Sequence, residues 1–406
     1  MGCGASKPAA ESVQDPAKPE SSSSAAPQID PKSLIGKKVK IKGLERREDL
    51  NGKEATVNHY IEEPSSKLRN MATEAAQLSQ KRRRTRRYVP QRLSAASVEA
   101  PTDDFNAHSI ALTFVVEVED RETEILVLAS VDNAEQQPET SNRNVVVFPG
   151  NPGIPSYYKD FCVNLWELNE GANDVLALGW VGHSESLLYS EEVFTLQDQI
   201  EHSISFVQQH CAAQDCTVTL CGHSIGAYIA LETMRKCPHL VDKVVGIHPF
   251  LSNNLDSPIQ RLFNVLVHNR LVVSAVTFLA GALSALPAFL RNFFLSPILR
   301  LMDSNSGGIT QSSMCTYRNI NNMLYMGKHE FDDLAGPPDW EFLGQNAEKI
   351  EMVFTVDDYW APVSLKEEID KRFPSLKTIL DPRSNHMFCV TEDKAAEMAE
   401  IVHKML

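Results

Sequence analysis

Ser224 sits in the run Leu220-Cys221-Gly222-His223-Ser224-Ile225-Gly226-Ala227, straight after the strand-like Thr217-Val218-Thr219. A serine on a sharp strand-to-helix turn requires glycine two residues to either side, because side chains there would hold strand and helix apart. Such a turn lifts the hydroxyl out of a sheet and aims the Ile225 amide and the helix N-terminus at a developing oxyanion. Two further residues extend this into an acyl-transfer set. Asp358 closes the block Lys349-Ile350-Glu351-Met352-Val353-Phe354-Thr355-Val356-Asp357-Asp358, a charged edge and a buried strand ending in carboxylates. His386 lies in the loop Asp381-Pro382-Arg383-Ser384-Asn385-His386-Met387-Phe388, which follows the strand-like Leu376-Lys377-Thr378-Ile379-Leu380. A serine hydroxyl is a poor nucleophile until a base takes its proton, and His386 is the candidate base. A carboxylate must then hold that imidazole in the right tautomer and stabilise the imidazolium. Asp358 is the preferred carboxylate, since Pro362 follows it by four residues, and Asp357 is the alternative. The plain readings are a tight turn at Ser224, a structural loop histidine at His386 and a solvated strand end for the spare aspartate.

The elements that position these residues follow from their order. Ser224, Asp358 and His386 stand in the chain order of α/β-hydrolase triads, separated by 134 and 28 residues. The second gap fits strand, helix, strand and loop; the first is too long for two βα units and demands an insertion. Catalytic groups in open α/β sheets collect at the C-terminal ends of strands. A second oxyanion amide is expected from the loop after an earlier strand. The apolar run Asn144-Val145-Val146-Val147-Phe148 empties into Pro149-Gly150-Asn151-Pro152-Gly153-Ile154-Pro155, a loop stiffened by its prolines. The Asn151 N–H, just past Gly150, is the best donor candidate. The predicted fold class is therefore α/β: a doubly wound, mostly parallel sheet with a helical apolar cap insertion.

Pro149-Gly150-Asn151-Pro152-Gly153 with Tyr157, Tyr158 and Phe161, Gly222-His223-Ser224-Ile225-Gly226-Ala227-Tyr228, Asp358-Tyr359-Trp360-Ala361-Pro362 and Asn385-His386-Met387-Phe388 together resemble the lipid-droplet-associated hydrolase family. The likeness spans about residues 108 to 406, and the Pro-Gly-Asn-Pro-Gly loop is its most specific sign. It implies a serine hydrolase with a hydrophobic, droplet- or membrane-associating insertion, and lipid esters as the substrate class. Residues before about 100 lie outside that pattern.

Composition sets the remaining bounds. A net charge of −14 with no globally basic face argues against nucleic acid as a partner. Eight cysteines without a C-x-x-C read as free thiols in a reducing compartment. The histidines show no metal-ligand spacing, so neither metal nor cofactor is expected. His183 and His223, near the presumed site, suit supporting or packing roles.

Met1-Gly2-Cys3-Gly4-Ala5-Ser6 fits an N-myristoylation signal at Gly2, with Cys3 beside it as a palmitoylation site. Two chains are what stable anchoring requires. Residues 1–32 read as a disordered acylated tether, 33–93 as an all-β SH3-like barrel and 94–107 as a linker to the hydrolase domain at 108–406. The barrel reading rests on the alternating Leu34–Leu44 run and the Asn51-Gly52 turn, and a protein ligand for it would be unknown. Lys81-Arg82-Arg83-Arg84-Thr85-Arg86-Arg87 is either a solvated loop or a contact with anionic lipid.

The insertion is placed at about 252–345. Inside it, Leu271 to Leu290 is twenty residues without a charge. One transmembrane span there would put the serine and its partners on opposite sides of a bilayer, whereas a helical pair broken at Pro287 keeps them together. A cap over the site, a hairpin dipping into a lipid monolayer, or both remain open. The functional expectation is a serine hydrolase of lipid esters at a lipid-droplet or membrane surface. Its alternative is a catalytically weak hydrolase fold that binds or scaffolds at such a surface.

Overall fold

Strand residues buried on both faces read as unbroken apolar runs, and in this chain alternate residues of each run enter opposite halves of the core. Val146 and Phe148 pack in one half while Val145 and Val147 pack in the other, and Leu220 and Cys221 divide in the same way. The computed structural model describes residues 38–40, 54–56, 97–98, 109–119, 121–130, 143–185, 192–214 and 216–406. Gly2, Cys3 and the basic run at 81–87 lie outside them. Of the region read as an SH3-like barrel, the described residues hold one antiparallel pair, β1 (Lys38–Lys40) with β2 (Glu54–Thr56). The Asn51-Gly52 turn falls outside.

Among the described residues the main sheet has nine strands. Three are β3 (Ser97–Val98), β4 (Ser109–Val118) and β5 (Arg121–Ser130). The other six are β6 (Arg143–Phe148), β7 (Val175–Leu178), β8 (Thr217–His223), β9 (Val241–Ile247), β10 (Ile350–Phe354) and β11 (Lys377–Leu380). Their order is β11-β10-β9-β8-β6-β7-β5-β4-β3. β6 to β11 are mutually parallel, and β5, β4 and β3 continue antiparallel from β7. The expected mostly parallel α/β sheet is what the chain forms.

The chain leaves β6 for β7 on one side, then returns to β8 on the other. Connections after β6 and β8 therefore diverge, and a crevice opens at their C-terminal ends, where open α/β sheets bind ligands. The two strands meet in register with Phe148 opposite Gly222, so the Pro149–Gly153 loop and Ser224 flank that crevice.

Helices cover both faces. α1 (Lys159–Leu168) lies on one face; α2 (Leu196–Gln214) and α3 (Ile225–Lys236) lie on the other. Between β9 and β10 stand α4 (Pro258–His268), α5 (Arg270–Ser284), α6 (Ala288–Leu299), α7 (Ser304–Ile309), α8 (Tyr317–Asp333) and α9 (Trp340–Gln345). α10 (Val363–Arg372) returns to the face of α2, and α11 (Glu392–His403) packs beside α1.

The charge-free run divides where its proline demands. α5 ends at Ser284 and α6 begins at Ala288 with Pro287 as its N-cap. A second break sits at Asn269, whose Oδ1 accepts from the Leu271 and Val272 amides; there α4 and α5 meet at 88°. None of the described helices alone is long and apolar enough to cross a membrane. α5 and α6 each bury a single residue, Thr277 and Leu295. Leu262, Leu271, Phe278, Phe289, Phe293 and Leu301 stand between 70% and 83% exposed. Isolated exposed apolar residues are ordinary, but a contiguous run of large ones marks a surface made for an apolar neighbour.

Candidate active site

Ser224 occupies the left-handed region at φ 53°, ψ −122°, between the last residue of β8 and the first of α3. A serine pays for that conformation only where its surroundings impose it. Here its N–H donates to the Ile247 carbonyl at 2.9 Å, and its own carbonyl accepts from Ala227 and Phe250 at 3.0 and 3.1 Å. The flanking glycines are sterically required: a Cβ on Gly222 would lie 2.4 Å from the Gly226 oxygen, and one on Gly226 would lie 2.3 Å from the Phe148 and Pro149 oxygens.

The structure brings Ser224, His386 and Asp358 into one hydrogen-bonded chain. His386 Nε2 lies 3.0 Å from Ser224 Oγ, and His386 Nδ1 lies 2.8 Å from Asp358 Oδ2. Asp358 is buried, and its other oxygen accepts from the Trp360 and Ala361 amides at 2.8 and 3.1 Å. Burial alone raises this carboxyl's pKa, but His386 and the two amides outweigh it and hold the group below the usual carboxylate range. Asp358 is therefore an anion, and Nδ1 of the ring carries the proton that faces it. Asp357, the alternative, is exposed at φ 57°.

A second chain of hydrogen bonds supports the first. Gly150 N–H donates to the Tyr158 hydroxyl at 2.7 Å, and that hydroxyl reaches His223 Nδ1 at 2.6 Å. His223 Nε2 lies 2.8 Å from the His386 carbonyl. Because the carbonyl only accepts, the His223 proton sits on Nε2, and Tyr158 donates to Nδ1. Burial and the neighbouring His386 and His248 rings push the His223 pKa far down, in keeping with a neutral ring. His223 therefore ties the backbone of His386 to the Gly150 loop. His183 likewise accepts the Gly153 N–H at 2.8 Å, with burial holding its pKa near about 3.

The Ile225 N–H opens α3 and so has no partner within its helix, as an oxyanion donor requires. Gly150 packs on the serine: a Cβ there would come within 3.2 Å of Ser224 Cβ. Asn151 lines the same cavity as Ser224 and His386. Its side chain turns toward the helical insert, where Nδ2 donates to the Met323 carbonyl at 2.9 Å and to Glu330 Oε1 at 2.8 Å.

The cavity holds about 380 Å³, a size suited to a small organic ligand, and is walled mainly by apolar side chains such as Phe250, Phe263, Met302 and Trp360. His248 escaped the sequence reading. It is fully buried at φ 46°, and its ring lies at 30° to that of His386 with centroids 5.9 Å apart. Burial, reinforced by His386, pushes its pKa down to about 4, so it packs as a neutral ring. The signal was its place just past β9, at the same sheet end as Ser224. Ring nitrogens of His223, His248 and His386 lie within 4.8 Å of one another. His223 and His386 commit both nitrogens to protein partners, so this trio is poorly disposed to hold a metal ion.

The sequence pattern of the family described as lipid-droplet associated hydrolase matches residues 141–389, from the start of β6 to beyond His386. The chain belongs to that family. A Gallus gallus lipid droplet-associated hydrolase is 28% identical over 273 residues, spanning 63% of this chain and 82% of the relative. The Drosophila melanogaster protein of the same name is 24% identical over 66% of this chain and 90% of its own length. Among solved structures, the peroxisomal alpha-beta-hydrolase Lpx1 of Saccharomyces cerevisiae superposes with a TM-score of 0.51 at 15% identity, covering 74% of this chain and 90% of that one. DBJA does so with a TM-score of 0.54 at 11% identity, covering 72% and 96%. At such identities these neighbours establish the fold alone. The family member described here is thus a hydrolase built on the α/β-hydrolase fold.

Proposed function

We propose that this hydrolase cleaves carboxylic esters of lipids at a lipid-droplet or membrane surface, with Ser224 as nucleophile, His386 as the proton-transferring base and Asp358 as the carboxylate that orients it. The observation that carries this reading is the unbroken chain from Asp358 through His386 to Ser224, which opens into an apolar cavity. Ser224 Oγ attacks the ester carbonyl as His386 Nε2 takes its proton. The tetrahedral oxyanion is held by the Ile225 and Asn151 amides. The imidazolium gives its proton to the leaving alcohol, and a water activated by the same ring releases the acid.

Support for a lipid surface comes from the family, whose relatives are named for the droplet, and from the outer face of α5 and α6. Ile298 lines the cavity and is 48% exposed, so the apolar exterior is continuous with the substrate wall. An ester drawn from a lipid phase then reaches Ser224 without crossing water. Acylation at Gly2 and Cys3, with the basic run at 81–87, supplies the second attachment. The test compares a short soluble ester with an emulsified acylglycerol or sterol ester. The reading expects turnover of both to vanish in Ser224→Ala. Retained emulsified-ester turnover in that variant would sink it.

The apolar face also favours a second reading, in which the fold binds a lipid surface without turnover. Droplet flotation of an inactive Ser224→Ala variant, with wild type equally inactive on every ester, would be its result.

A further inference from the structure

We propose that Glu330 is a positioning residue: through Asn151, it lets the helical insert set the oxyanion loop. This inference rests on the reading of Ser224 as nucleophile and assigns the insert a part in catalysis beyond covering the site.

The geometry is a clamp from two sides. The peptide unit joining Gly150 to Asn151 carries both the Gly150 carbonyl and the Asn151 N–H. The core holds its oxygen, which accepts from Trp180 Nε1 at 3.1 Å, and the preceding Gly150 N–H is taken by Tyr158. The insert holds the Asn151 side chain. Met323, Gly327 and Glu330 recur at helical spacing along one face of α8, and Asn151 Nδ2 spends its two hydrogens on the Met323 carbonyl and on Glu330 Oε1. A Cβ on Gly327 would lie 3.6 Å from Asn151 Nδ2, so the helix backbone itself passes close to this amide. Neither partner is a local neighbour, since 172 and 179 residues separate Asn151 from Met323 and Glu330. Rotation of α8 away from the core would release Asn151 and with it the orientation of the N–H proposed to hold the oxyanion. A misplacement of about 1 Å in a catalytic group costs up to about 100-fold in rate.

The choice of glutamate adds a pH dependence. Glu330 is buried and lines the cavity. Burial raises its pKa to about 8 against the opposing bond from Asn151. The titratable groups that share the cavity are His386, His223, Tyr157, Tyr158, Cys315 and Cys389. Burial pushes both tyrosines and both cysteines up, and His223 down, away from neutral pH. On α8 itself Lys328, His329, Asp332 and Asp333 flank Glu330; Lys328 and His268 of α4 both pair with Asp332. Below about pH 8 Glu330 is a neutral acid whose carbonyl oxygen accepts from Asn151. Above it, a carboxylate shares the cavity with the developing oxyanion and opposes it.

The test follows the rate of Ser224 modification by a fluorophosphonate, together with kcat and KM on a soluble ester, from neutral to alkaline pH. It compares the full-length wild type with Glu330→Gln, Glu330→Leu and Ser224→Ala. Gln keeps the acceptor and the shape, so its neutral rate stays within about two-fold of wild type. The wild-type rate falls above about pH 8, and the Gln variant loses that fall. Leu lowers kcat and labelling by about 10- to 100-fold with KM unchanged. Superimposable pH profiles for wild type and Gln, or a folded Leu variant labelling at the wild-type rate, would overturn the inference. If Leu does not fold, the Gln profile decides alone. Wild type that never labels at Ser224 defeats the nucleophile reading and the Glu330 inference with it; a labelled wild type with unaltered variants defeats the Glu330 inference only.

Discussion

Asp358 and Asp357 are chemically identical neighbours with opposite fates. One is buried with both oxygens engaged, the other turns outward at a positive φ. Asp358→Asn keeps the shape but removes the charge that fixes the His386 tautomer, so kcat should fall by about 10³- to 10⁴-fold, whereas Asp357→Asn should stay within about two-fold. Steady-state kinetics of the two variants on one soluble ester checks this. Glu330 makes a prediction on stability. Its pKa is about 4.5 in the unfolded chain and about 8 in the folded one. The folded state thus keeps a proton that the unfolded chain sheds, and stability declines as the pH rises from 4.5 toward 8, then levels. Glu330→Gln escapes that decline. Its melting temperature should therefore exceed the wild type's by a margin that widens between mildly acidic and mildly alkaline pH, and a margin independent of pH would contradict the assignment. Ser224, Gly222 and Gly226 were legible because a sterically enforced turn leaves its requirement in five consecutive residues. Tyr158 was singled out only as part of the family resemblance, and its role, like those of His248 and Glu330, was not legible, because these roles depend on neighbours brought together by folding: Tyr158 meets His223 across 65 residues, and Glu330 meets Asn151 across 179.

At the level of elements, β6, β8, β10 and β11 were legible as strand-like runs, and the loops after them as the places for chemistry, whereas β7 and β9 were not read from the sequence. The 134-residue gap between Ser224 and Asp358 required an insertion, and Pro287 required a break within it. The 88° bend at Asn269 and the approach of α8 to Asn151 were beyond reach, since capping by an isolated asparagine is common and the amphipathic pattern of α8 says only that one face is buried. α5 and α6 were legible as apolar but not as outward-facing. Their exposed side chains yield an element-scale prediction. Replacing Phe278, Phe289 and Phe293 with serine should abolish co-flotation with lipid emulsions while leaving kcat on a soluble ester within about two-fold, because none of the three lines the cavity. Loss of soluble-ester turnover would mean that these residues serve the cap's packing instead.

At the scale of the whole molecule, a crevice at a sheet switch point, a cavity walled by the insert and an apolar outer face lie in sequence from Ser224 outward. That arrangement suits an ester presented by a lipid phase rather than one dissolved in water. Attachment through the N-terminus would add to it: metabolic labelling with a myristate analogue should mark the wild type and not Gly2→Ala, and an unmarked wild type would remove that anchor from the account. All of this rests on one claim, that Ser224 is an activated nucleophile. The most direct test treats the folded protein with a fluorophosphonate and locates the adduct by peptide mass, with Ser224→Ala and His386→Ala alongside. A single adduct on Ser224, absent from both variants, is the predicted result; a folded wild type without an adduct, or one carrying it on another residue, would contradict the claim.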